Sequence, residues 1–91
     1  MTDDLISLNE LQLGRADRGF VGTILRVDAS NITSSLPSHE LEQQLVEMGF
    51  LEGARVEILH EGTIKCDPIA VRVDNITIAL RRSEAMAVFV E

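Results

Sequence analysis

The sequence predicts a mainly β fold, a small β-barrel with one amphipathic α-helix, and three observations predict it. Two runs near the C-terminus alternate strictly and are separated by two turn-forming residues, Ile69-x-Val71-x-Val73 and Ile76-x-Ile78-x-Leu80 around Asp74-Asn75. One segment, Ser38 to Met48, has helical periodicity instead. The remaining apolar stretches are short and β-branched, as in Gly19-Phe20-Val21-Gly22-Thr23-Ile24-Leu25.

The elements follow in order. Ser7-Leu8-Asn9-Glu10 has the Ser-x-x-Glu capping-box pattern, but Gly14 comes too soon for more than one turn. Phe20 to Val27 reads as a strand in which Gly22 marks a bulge or a close backbone approach. Ala29 to Ser38, rich in Ser and Asn, reads as a loop expected to be mobile. Ser38 then caps a helix whose Leu41, Leu45 and Met48 recur at i, i+4 and i+7, while the glutamates and glutamines fall on its other faces.

Gly49 sits where a helix commonly ends in a left-handed residue, and Phe50 is the apolar residue that folds back on the last turn. Gly53 allows a second bend before a strand that starts at Arg55. In the final hairpin a two-residue turn pairs Val73 with Ile76, Val71 with Ile78 and Ile69 with Leu80, so one face is apolar throughout. Arg72 with Thr77 and Ala70 with Ala79 form the other face. Ser83 to Met86 reads as one helical turn and Val88 to Val90 as a closing strand. About five short strands around one helix favour closure into a barrel, because open edges invite pairing with other chains.

Composition narrows the function. Ninety-one residues suit a single domain, 1–91, with a modest core. No apolar run approaches the ~20 residues of a membrane span, no secretory signal opens the chain, and a lone cysteine forms no internal disulfide. The expectation is a reducing cytoplasm without direct membrane insertion. A net charge of −7 opposes binding to a phosphate backbone, so nucleic acid is not an expected partner. The charge is uneven. From Pro37 to Glu61 there are six glutamates against Arg55, whereas Lys65 to Glu91 has four acids and four bases.

The stretch His60-Glu-Gly-Thr-Ile-Lys-Cys66-Asp67 gathers ligand-type side chains. Alternation from Val56 and Ile58 puts His60 in phase with the core and Glu61 out of it, while Ile69 puts Asp67 in phase and Cys66 out. His60 and Cys66 therefore tend to opposite faces, and neither four convergent ligands nor paired cysteines are present. No metal, no cofactor and no catalytic residue is expected; His39, at the helix start, reads as a solvated first-turn residue. Phe20, Phe50 and Phe89 suit a core better than a base-stacking platform.

The succession Met48-Gly49-Phe50, Gly53, Val56, Asp67-Pro68-Ile69, Ile78-Ala79-Leu80-Arg81 and Glu84-Ala85 resembles the FeoA family of bacterial ferrous iron transport proteins and the SH3-like domain that ends some iron-dependent repressors. The likeness runs from about Leu5 to Val90. Cys66 stands where the family commonly has Gly, and Gln44-Leu45 where an Arg-Leu pair is common.

What the resemblance implies is an SH3-like barrel without catalytic activity, an accessory to the membrane-embedded ferrous iron permease with its GTP-binding domain. The other reading is a regulatory or sensing module that holds a peptide segment of an iron-responsive regulator in the barrel groove. For partner binding the candidates are Leu51, between two glycines where periodicity does not require burial, its neighbour Phe50, and Arg81 after the last inward strand residue, with Glu84 as an internal alternative for its guanidinium. Self-association is left open.

Overall fold

The computed structural model describes residues 9–34 and 36–91. Six strands, one three-turn helix and one single-turn helix follow one another: β1 (Leu11–Gln12), a 3₁₀ turn (Leu13–Arg15), β2 (Val21–Val27), α1 (Ser38–Glu47), β3 (Arg55–Ile64), β4 (Asp67–Val73), β5 (Ile76–Leu80), α2 (Arg82–Ala85) and β6 (Val88–Val90). The sheet order is β1-β6-β2-β3-β4-β5, antiparallel at every pairing. The sheet is therefore strongly curled but not closed: β1 and β5 are its edges. Of the Ser7-x-x-Glu10 expectation, Ser7 and Leu8 lie outside the described residues.

The curl comes from β2, which changes partner along its length. Val21 to Thr23 pair with β3, and Ile24 to Val27 pair with β6 across a register shift between Ile24 and Arg26. Gly22 stands at the crossing, where a Cβ would lie 2.5 Å from the Glu91 carbonyl oxygen and from the Phe20 ring. The close backbone approach read from the sequence is thus what holds this glycine.

The core lies between the curled sheet and α1. Phe50, Leu13, Ile24, Leu41, Leu45, Val56, Ile58, Ile69, Val71, Val88 and Val90 are fully buried. Leu41 and Leu45 are the inward stripe of α1, and Met48 packs at its margin. The helix begins one residue earlier than the sequence suggests: the Pro37 carbonyl accepts from the N–H groups of Glu40 and Leu41, so Ser38 is already helical and its hydroxyl caps nothing. The Ser- and Asn-rich loop before it is tied down at its start. The Ala29 N–H donates to the Glu42 carboxylate at 2.7 Å, and Asp28 accepts from the backbone and hydroxyl of Ser30.

At its far end α1 closes as the glycine requires. Gly49 has φ +108°, its N–H donates to the Val46 carbonyl, and the Phe50 N–H donates to the Leu45 carbonyl, the paired bonds of a Schellman cap. The β4–β5 register matches the sequence reading pair for pair, from Ile69 with Leu80 to Val73 with Ile76. Burial does not follow it to the tip. Val73 is buried at the helix exit, where a Cβ at Gly49 would lie 3.8 Å from it, whereas Ile76 is on the edge strand and 59% exposed.

Candidate functional site

Alternation fails in β3, and this moves the ligand-type residues. The β3–β4 ladder shifts register between Ile58 and His60 and again between Glu61 and Ile64. After the first bulge His60 pairs with Ala70 and is exposed, while Glu61 pairs with the inward Ile69. The phases of His60 and Glu61 are therefore the reverse of the sequence expectation, because a bulge places two residues where the pleat allots one. Lys65 and Cys66 form the two-residue connection to β4, both left-handed with φ +56° and +58°. Among the described residues, no three or more His, Cys, Asp or Glu side chains come together as a metal could use them.

What this hairpin does hold is Arg82, which the sequence reading passed over in favour of Arg81. The Arg82 guanidinium donates Nε to the Cys66 carbonyl at 2.7 Å, Nη1 to the carbonyls of Gly14 and Ala16 at 3.1 and 2.6 Å, and Nη2 to the Glu61 carboxylate at 3.0 Å. Its backbone N–H donates to Asp67 at 2.9 Å. One planar fork thus stitches the 3₁₀ turn and the β3–β4 hairpin to α2, as guanidinium geometry permits and an ammonium does not. Arg82 opens α2, past the end of β5, and its acceptors come from segments distant in sequence. The same cluster acts on Cys66: a hydrogen bond with the Glu61 carboxylate, and the carboxylate's charge, push its thiol up from the ordinary range.

The three partner-binding candidates separate. Leu51 is 52% exposed, on a backbone fixed by its N–H to the Gly49 carbonyl and by its carbonyl to the Ala54 N–H. Phe50 is fully buried and offers no surface, which corrects the sequence reading of it as a partner-binding residue: the cap folds its ring into the core. Arg81 lies past the opposite end of β5 from the Val73–Ile76 tip, about 17 Å away at strand rise. Its backbone N–H donates to Glu84, and its side chain lines an open depression with Ile64, Lys65, Asp67, Pro68 and Ser83. Leu51 and Arg81 are thus parts of two different surfaces. Each carries an exposed apolar side chain, Leu51 at the helix exit and Ile64 in the depression beside Arg81.

The family model for the FeoA domain matches residues 7–91. The chain belongs to the FeoA family. It thereby stands among the accessory proteins of ferrous iron transport. Among solved structures it is similar to Stenotrophomonas maltophilia FeoA complexed with zinc, described as an SH3 domain protein, at 25% identity and TM-score 0.69 over 87% of each chain. Iron(II) transport protein A from Clostridium thermocellum is similar at 31% identity and TM-score 0.70, over 89% of this chain and 44% of that one. A manganese-dependent transcriptional repressor shares the fold at 20% identity and TM-score 0.75, over 93% of this chain and 42% of the repressor. No curated protein matches. The SH3-like architecture expected from the sequence is the one these structures share, with the sheet here left open between β1 and β5. Among the described residues no helix is long and apolar enough to cross a membrane.

Proposed function

We propose that this FeoA protein is a non-catalytic cytoplasmic accessory that binds the cytoplasmic part of the ferrous iron permease, the part that carries its GTP-binding domain. Family membership supports the partner. The observation that carries the place is Leu51: a large apolar side chain, half exposed, on a backbone held from both sides by the helix cap and the Gly53 bend. A rigid apolar anchor loses little conformational entropy on binding and is the kind of residue on which interfaces concentrate their energy.

Retention on the organism's own membranes tests this reading. The wild-type chain should be captured from solubilised membranes that contain the permease and not from membranes lacking it, and Leu51→Glu, folded by its spectrum, should be captured poorly. Equal capture of Leu51→Glu puts the surface elsewhere. No capture of the wild type favours the regulatory module over the transport accessory.

A further inference from the structure

The depression around Arg81 has a geometry of its own. β5 ends at Leu80, opposite Ile69, while β4 begins two residues earlier at Asp67. Asp67 and Pro68 therefore run past the end of β5, and the chain leaves the sheet there because the Asp67 carboxylate accepts from the Arg82 N–H. The notch that results has a volume of about 630 Å³, is open to solvent, and is lined by Ile64, Lys65, Asp67, Pro68, Arg81 and Ser83.

Its charge runs against that of the molecule. In a chain of net charge −7, three arginines have carboxylate partners: Arg26 with Glu10, Arg55 with Glu57 and Arg82 with Glu61. The side chains of Lys65 and Arg81 form no ion pair among the described residues, as is also true of Arg15, Arg18 and Arg72, but Lys65 and Arg81 line this one notch together. Asp67 also lines the notch, its carboxylate accepting from the Arg82 backbone N–H, so the lining carries two cations and one anion, while Glu61 is paired with the Arg82 guanidinium. Ile64, 77% exposed, and Pro68 add apolar surface beside the two cations.

We propose that this notch binds an acidic, extended peptide segment of a partner protein, with Lys65 and Arg81 receiving carboxylates and Ile64 and Pro68 receiving the apolar residue between them. Two cations beside exposed apolar surface match a segment that carries both carboxylates and an apolar side chain. The charge of the rest of the chain opposes a nucleic acid backbone here. The site lies at the other end of β5 from Leu51, so it stands or falls separately from the permease surface.

The test is an NMR titration of the full chain with a capped six-residue peptide alternating glutamate and leucine, its glutamine counterpart, and inorganic phosphate. The acidic peptide should shift the amides of Ile64, Lys65, Arg81 and Ser83, weaken on going from about 50 to about 500 mM salt, and lose about tenfold in affinity in the Lys65→Gln, Arg81→Gln double variant. Leu51→Glu and Arg72→Gln, which alter the far end of the sheet, should leave affinity unchanged. Equal binding of the glutamine peptide, shifts centred elsewhere, an equal loss in Arg72→Gln, or phosphate binding as tightly at the same amides would each overturn the proposal.

Discussion

Replacing Arg82 with alanine should destabilise the fold by about 2–4 kcal/mol, and the structure supplies the terms. Its guanidinium makes four hydrogen bonds, three to backbone carbonyls and one to Glu61. A hydrogen bond to a charged group contributes about 1.5–3 kcal/mol when fully realised. The sum is not lost in full. The side chain is 19% exposed, so water reaches part of the vacated site and satisfies some of the freed acceptors. Removing one partner of a buried ionic cluster costs about 3–5 kcal/mol, and partial exposure brings the expectation below that range. At about 4–8 °C per kcal/mol for a domain of this size, the melting temperature should fall by roughly 8–32 °C. Urea titration checks it at constant slope, with Arg82→Lys as comparator: an ammonium holds the charge but not the fork, and should recover only part of the loss. A loss under about 1 kcal/mol in Arg82→Ala, or full recovery by lysine, would refute the stitching role.

Two further outcomes follow from single residues. Gly49→Ala should destabilise by about 1 kcal/mol through its positive φ alone, because the added Cβ meets only Val73 at an ordinary 3.8 Å; an unchanged denaturation midpoint would remove the cap argument. Cys66 should alkylate more slowly than an unperturbed thiol at mildly alkaline pH, since Glu61 favours its protonated form. Glu61→Gln should speed the reaction by lowering the thiol pKa, and equal rates in both proteins would contradict the assignment.

Much of the fold was legible because local rules and burial agreed. The β4–β5 hairpin joined strict alternation to a turn residue that accepts φ +52° at Asp74, and the helix exit joined a glycine to the apolar residue its cap requires. Alternation stopped being a guide in β3. Two register shifts there put Glu61, not His60, on the inward row, and nothing in a single sequence marks a bulge whose residues are ordinary strand formers. Barrel closure was inferred from the hazard of open edges, yet β5 remains an edge, uncharged from Ile76 to Leu80. The site was half legible. The exposure of Leu51 followed from its place between two bends, but the burial of Phe50 and the distance between Leu51 and Arg81 depend on which way the chain turns after the cap and after Leu80. The role of Arg82 depends on acceptors from Gly14, Ala16 and Cys66, far from it in sequence, which no local pattern announces.

The central claim is that Leu51 anchors this protein on the ferrous iron permease. Equilibrium binding of the purified chain to detergent-solubilised permease measures it directly, with Leu51→Glu and Cys66→Ser compared under the same conditions. The wild type and Cys66→Ser should bind alike and Leu51→Glu should bind at least about tenfold more weakly, the effect of losing about 1.4 kcal/mol at an interface anchor. Undiminished binding by Leu51→Glu, with the wild type bound, would contradict it.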